Sequence, residues 1–268
     1  MTNQTADGRA AIYHDLHHNQ IRQQEEQNRA SADLILRELF RHLVPRSVLD
    51  VGCGVGTWLE AAQRLGVEEI LGVEGAWLDR TLACIPYEKI IHLDLERPFD
   101  LQRRFDLLIC LEVAEHLHAQ LAATFVESLV RHADVILFSA AIPFQGGHHH
   151  VNEQFLDYWT MLFDQFGYRP VDFIRPVIWT NPTVLWWLRQ NTLVFAKREL
   201  TTGTGPFAHI AEQRGPLSIV HPEVYLGRLR SAAAIVEEHK QLLALLSSAT
   251  TFSVVWHPNG QFTITCHQ

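Results

Sequence analysis

The stretch VLDVGCGVGTWLE, Val48 to Glu60, restricts the fold more than any other part of the chain. A short apolar run ends in glycines at 52, 54 and 56, and helical spacing resumes from Thr57 to Leu65. That order reads as strand, glycine loop, helix. A residue without a Cβ lets a ligand approach the backbone, and open parallel sheets bind ligands at this place. The spacing departs from the dinucleotide fingerprint GxGxxG: the third glycine comes one residue early, and Thr57 stands where it belongs. Asp50 closes the strand, where a carboxylate would repel a pyrophosphate and attract an ammonium group.

Apolar runs recur at Ile70–Val73, Ile90–Leu93, Phe105–Leu111 and Val135–Ala140, with helical segments between several of them, such as Ala119–His132. Such alternation predicts an α/β, Rossmann-like, doubly wound sheet, mostly parallel and covered on both faces. Val171–Trp179 and Thr192–Lys197 read as two further strands, which complete seven and supply an antiparallel edge strand. Helical spacing from Asn19 to Leu43, with a stripe of Leu34, Ile35, Leu39 and Leu43, predicts an N-terminal helical cap over 1–45 in front of a main domain over 46–200. Beyond it TTGTGP reads as a linker, Pro222–Leu246 as one or two helices, and FSVVWHPNGQFTITC as a hairpin around a Pro-Asn-Gly turn, together a C-terminal appendage over 201–268.

An apolar fraction of 47% in 268 residues is ample for a buried core. Acidic side chains number 30 against 22 basic, a net charge of −8 with no sustained basic stripe, which disfavours a nucleic-acid partner. No basic segment followed by an apolar run marks a leader, and no apolar run reaches about 18 residues. The expectation is a cytoplasmic protein with no membrane partner. Cys53, Cys84, Cys110 and Cys266 include no CxxC pair and are expected as reduced thiols.

Glu74 ends the second strand about twenty residues beyond the glycines, the spacing at which a carboxylate accepts both hydroxyls of a ribose. Asp94 follows the third strand. Three carboxylates at three successive strand ends, with no Lys or Arg among them, suit a cationic ligand that contains a ribose. Taken together, VLDVGCGVGTWLE, ILGVEG, IHLDLERPF and FDLLICLEVAEHL resemble the class I S-adenosylmethionine-dependent methyltransferases from about Val48 to His118, and the strand pattern extends the resemblance to about Arg198. The resemblance implies S-adenosyl-L-methionine as cofactor. It places Asp50 and the backbone around Gly52, Cys53 and Gly54 at the methionine end, Glu74 at the ribose, Asp94 and Leu95 at the adenine, and Glu112 beside the bound cofactor.

Methyl transfer from a sulfonium is an in-line displacement, so acceptor, methyl and sulfur must be held collinear. An alcohol acceptor must also lose a proton, and histidine titrates near working pH. His116 in EVAEHL and His150 in PFQGGHHHVNEQ are the candidate bases. The segment GGHHHVNEQFLDYWTMLFDQFGY resembles one in bacterial methyltransferases of saccharide and specialised-metabolite pathways. In that pattern His150, Asn152, Glu153 and Gln154 match the recurrent HVNEQ, which implies His150 as base. His149, Asn152, Glu153 and Trp179 are the candidate acceptor-binding residues. Adjacent histidines 148–150 cannot all face one way, so no metal site is assigned to that run alone, and a divalent metal held by two of them with Glu153 or Glu112 is the alternative. Trp179, Trp186 and Trp187 bracket TNPTVLWWLRQN, which reads as an aromatic lid or as core packing. Tyr13, His14, His17 and His18 read as a flap over the cofactor or as a frayed tail.

The activity these residues predict is O-methylation of a small molecule, a sugar or sugar-bearing metabolite, with a histidine general base. N-methylation of a small amine, which needs no strong base, and a non-catalytic cofactor-binding scaffold are the alternatives. By the resemblance, CLEVAEHL in place of an Asn-Pro-Pro-Tyr-like tetrapeptide at the fourth strand end favours oxygen. A homodimer through the apolar stripe of Ala232–Leu246 and packing of that stripe within the chain are both open.

Overall fold

A computed structural model describes residues 25–210, 216–248, 251–256 and 262–267. Seven strands form one sheet in the order β3-β2-β1-β4-β5-β7-β6. They are β1 (Ser47–Val51), β2 (Glu69–Glu74), β3 (Ile90–His92), β4 (Leu107–Leu111), β5 (Val135–Ser139), β6 (Tyr168–Val171) and β7 (Leu193–Lys197). All five residues of β5 are buried, as continuous apolar runs must be when helices cover both faces of a parallel sheet. Only β7 runs against its neighbours β5 and β6, so the reversed strand lies one place in from the edge. Pro170 is tolerated in β6 because that strand is the edge and needs one ladder only. The chain moves outward from β1 through β2 to β3 on one side and from β4 to β5 on the other. The strand order therefore reverses between β1 and β4, and the carboxyl ends there flank the crevice in which such sheets bind ligands.

Helices α1 (residues 25–39), α2 (Thr57–Arg64), α5 (Ile174–Ile178) and α6 (Trp186–Asn191) contribute to one apolar core, in which Ile35, Leu36, Leu39 and Leu59 are fully buried. On the other side α3 (Ala122–Val130) and α4 (Leu156–Asp164) bury Phe125, Leu129, Trp159 and Phe163. The Phe163 and Phe195 rings stack with centroids 4.0 Å apart, fixing α4 on the sheet. Each such side chain contributes about 1.5–3 kcal/mol by leaving water.

The apolar run Val171–Trp179 is not a strand: β6 ends at Val171 and α5 takes up Ile174–Ile178. The physical reason is Arg175. Its buried guanidinium binds Asp172 three residues back at 2.5 Å, a helical-turn spacing, and donates to the carbonyls of Leu217 at 2.8 Å and Gln190 at 3.2 Å. The first compact unit runs on through the TTGTGP segment to His221. Phe207, 1% exposed, donates its amide to Leu200 and anchors that segment.

The second unit begins at Pro222 and consists of α7 (Pro222–Ser248) and the hairpin β8 (Thr251–Trp256) with β9 (Phe262–His267). The Pro-Asn-Gly turn at 258–260 lies outside the described residues, as do Tyr13, His14, His17 and His18. Among the described residues, no helix is long and apolar enough to cross a membrane.

Candidate active site

Two cavities open at the carboxyl ends of β1, β2 and β4. The first, about 260 Å³, is lined by Asp50, Gly52, Cys53, Gly54 and Glu112, with Glu25 and Asn28 of α1 and Leu185, Trp187 and Leu188 at and in α6. The second, about 310 Å³, is lined by Gly52, Gly54, Glu74, Asp94, Leu95 and Glu112, with Trp77, His116 and His149. Gly52, Gly54 and Glu112 belong to both, so the glycine loop is the ridge between them. Gly52 has φ +78°, and a Cβ there would lie 2.3 Å from Val113 Cγ2, so both conformation and close packing require glycine.

The electrostatics are those of an anionic crevice. Asp50 is 3% exposed and its Oδ2 has no hydrogen-bond partner among the described residues. Burial, helped by the charge of Glu74, holds its carboxyl well above the usual carboxylate range. Glu74 accepts the amide protons of Gly54 at 2.7 Å and Gly75 at 2.8 Å, and burial raises it despite those bonds. Glu112, in the left-handed region at φ 54°, accepts from Gln145 Nε2 and Asn191 Nδ2, each at 3.1 Å, and burial raises it too. A bound cation would lower the cost of ionising all three. Asp94, at the mouth, caps the amide of Glu96 at 3.0 Å.

Beyond Glu112 a second group of side chains meets. Glu115 lies in the one-turn helix Ala114–His116, is fully buried, and has the backbone at Ala141 and the carboxyl group of Glu112 as polar neighbours. Burial, then the charge of Glu112, raises it well above the usual range. The His116 and His150 rings meet edge to face with centroids 4.9 Å apart. Burial and the proximity of His150 hold His116 down to about 4, so its imidazole is neutral. The loop carrying His150 is tied to Glu115 by the amides of Val151 at 2.9 Å and Asn152 at 3.0 Å, which donate to the Glu115 carbonyl.

Glu153 organises the same loop. It accepts the amide protons of Phe144 and Gly146, both at 2.7 Å, and the Nδ1 proton of His150 at 3.0 Å. The last bond fixes the tautomer that leaves Nε2 of His150 unprotonated. Gly147 lies against the far edge of this ring: a Cβ there would be 2.2 Å from Nε2.

The fold thus brings together Asp50, Gly52, Cys53, Gly54, Glu74, Asp94, Leu95, Glu112, His116 and His149 around the cavities, with His150 behind His116. Glu153 spends its oxygens on the loop and His150, and Asn152, 3% exposed, is buried beneath it. Trp179 lines neither cavity; its ring packs on His221 at 4.6 Å between centroids, and Trp187 holds the place expected of it. Sequence reasoning passed over Glu115, Gln145, Asn191 and the α1 residues Glu25 and Asn28. Only Glu115 carried a signal, its place three residues after Glu112 and beside His116.

A family model described as a methyltransferase domain matches residues 22–175. No curated protein sequence matches the chain. Among solved structures the chain is similar to the magnesium protoporphyrin IX methyltransferase ChlM from Synechocystis PCC 6803 with bound SAH, at 16% identity and TM-score 0.51 over 72% of this chain and 95% of that one. The same enzyme with bound SAM aligns at 17% identity and TM-score 0.50 over 73% of this chain and 100% of that one. With its reversed β7 and its strand-end carboxylates, the chain belongs to the methyltransferase domain family and is a class I S-adenosylmethionine-dependent methyltransferase.

Proposed function

We propose that the protein methylates a hydroxyl group of a small molecule, a sugar or sugar-bearing metabolite, with the acceptor activated at His150. The observation that carries this reading is the Glu153–His150 pair, 3.0 Å apart, whose imidazole packs on His116, itself a lining residue of the second cavity. Methylation of an amine needs no such pair.

The residues of the crevice fit the cofactor. Orphaned Asp50 Oδ2 offers an ammonium group the partner it lacks, Glu74 keeps lone pairs for two ribose hydroxyls beyond its two amide bonds, and Asp94 with Leu95 borders the remaining end of the second cavity. S-adenosylmethionine supplies, when bound, a methyl group on a cationic sulfonium. Glu112 is held by Gln145 and Asn191 between the two cavities, where its charge favours a cation. His150, oriented by Glu153, draws the proton from the acceptor hydroxyl, a contribution of roughly 10²–10⁴ in rate. Trp187 and Leu188 at the first cavity, and Val113 and Val151 around the second, keep water from the reacting groups. The net charge of −8 supports a small acceptor over a nucleic acid.

The test is incubation with S-adenosylmethionine and a panel of sugars, nucleotide sugars and amino sugars, with the new methyl located by NMR. A methyl on oxygen, with kcat reduced at least 10²-fold in His150→Ala, is expected. A methyl on nitrogen with His150→Ala nearly silent would establish the amine reading instead.

A further inference from the structure

Glu115 poses a problem that the cofactor does not solve. A carboxyl group that is fully buried, with the backbone at Ala141 and another acid, Glu112, as its polar contacts, is expensive to ionise unless a cation reaches it. The described residues place no Lys or Arg against it, and the nearest charged neighbour is another acid, Glu112. What does surround it is metal-binding chemistry: one ligand atom each of Glu115, His116 and His150 lie within 4.8 Å of one another. That spread suits three donors around one ion, because donors about 2.0–2.2 Å from a metal lie some 3–4 Å apart and buried side chains need only small adjustments to close in.

We propose that Glu115, His116 and His150 hold a first-row divalent cation, and that its open positions take the oxygen of the methyl acceptor. Two imidazoles and one carboxylate form a donor set of borderline softness that suits Zn²⁺, Mn²⁺ or Fe²⁺. The surrounding contacts match what metal-binding histidines require. Nδ1 of His150 already donates to Glu153 at 3.0 Å, the carboxylate–histidine relay that orients a ligating ring and raises its basicity, which leaves Nε2 for the ion. His116 is held in turn by the backbone at His149. The ligand set crosses the chain, two residues from the turn after β4 and one from the loop after β5, and the amides of Val151 and Asn152 bonded to the Glu115 carbonyl fix the two segments to each other. This set differs from the one the sequence offered, two histidines of the 148–150 run with Glu153 or Glu112. His148 and His149 are exposed and stand outside the three-residue cluster, and Glu153 serves as the outer partner.

The site rests on the proposed O-methylation for its purpose and makes that reaction more specific. An alcohol bound to the cation is acidified, so in the loaded site the ion replaces His150 as the group that activates the hydroxyl, and His150 acts as its ligand. The hydroxyl proton leaves to solvent, the oxygen lone pair forms the new bond to the methyl group, and the pair of the broken carbon–sulfur bond stays on sulfur. The second cavity, lined by His116, Glu112 and Asp94, is open to such an acceptor, and a vicinal diol, as sugars carry, would offer the ion two oxygens.

The experiment is titration of the EDTA-treated full chain with Mn²⁺, followed by electron paramagnetic resonance, and with Zn²⁺, followed by calorimetry, on wild type, Glu115→Gln, His150→Ala and His42→Ala. The last removes a histidine that pairs with His209 far from this cluster, at 2.9 Å. SAH affinity of each variant is measured alongside and reports an intact fold. One bound ion per chain, with affinity at least tenfold weaker in Glu115→Gln and His150→Ala and unchanged in His42→Ala, is expected. Absence of binding, or binding that Glu115→Gln and His150→Ala leave unchanged, overturns the site. If EDTA-treated protein methylates a hydroxyl at full rate, the metal is wrong and the O-methylation stands; if the ion binds as expected and the methyl appears on nitrogen, the site stands and the acceptor reading falls.

Discussion

Glu153 and His150 are joined at 3.0 Å through the Nδ1 of the imidazole, and the same carboxylate holds the amides of Phe144 and Gly146. One side chain therefore sets both the path of the loop after β5 and the tautomer of the histidine at its centre. Phe144 has φ 65° in the left-handed region, a conformation that costs a non-glycine residue about 1 kcal/mol or more and persists because Glu153 pins its amide. Replacing Glu153 by Ala leaves two loop amides without their acceptor and the ring free to turn. kcat should fall about 10²-fold and stability by roughly 1–3 kcal/mol, while SAH affinity stays within twofold. Steady-state kinetics, thermal unfolding and calorimetry on the one variant separate the three effects.

Gly147→Ala is the sharper test of the same loop. The new methyl would meet the His150 ring at 2.2 Å from Nε2, and the ring, being the far end of a side chain, gives way. Turnover should drop at least tenfold, with the melting temperature changed by less than about 3 °C because the backbone itself is not strained. A variant with full activity would show that the position of His150 is not critical.

Asp50 makes the free protein sensitive to pH. Its folded-state pKa is raised by burial, so between the ordinary carboxylate value and the raised one the folded chain binds more protons than the unfolded chain. Stability contributed at this position is present below that window and lost as pH rises through it. Asp50→Asn removes the penalty, and the melting temperature of the free protein at pH 8 should rise by about 2–8 °C, equivalent to roughly 1–2 kcal/mol.

The same shift couples cofactor to proton. An ammonium group at Asp50 favours the ionised carboxylate, so SAH binding should release protons, and its affinity should climb with pH until Asp50 is ionised in the free protein. Calorimetry in two buffers of different ionisation enthalpy measures the release directly; equal apparent heats in both would mean that Asp50 does not meet the ammonium.

The parts of the site that lie at strand ends were legible in the sequence. Asp50, Glu74 and Glu112 each close a short apolar run, and a parallel sheet brings successive carboxyl ends to one edge whatever the loops do. Gln145 and Asn191 were not legible because they reach Glu112 across 33 and 79 positions of sequence, through a fold whose loops leave no periodic trace. Glu115 was hidden for a different reason. A single turn after β4 folds it inward beneath the next loop, and one turn is too short to show a buried face. The segment after β6 misled because its valine and isoleucines suit a strand, while the Arg175–Asp172 pair and the buried carbonyls that Arg175 serves require a helix.

The claim on which the other steps depend is that the carboxylates at the ends of β1 and β2 hold the cofactor while the His150 loop serves the acceptor. Calorimetric titration of wild type, Asp50→Ala, Glu74→Ala and His150→Ala with SAH separates those duties. Micromolar binding that weakens at least tenfold in the first two variants and stays within twofold in the third is the expected result. Binding that Asp50→Ala and Glu74→Ala leave unchanged, or that His150→Ala abolishes, would contradict this division of the site.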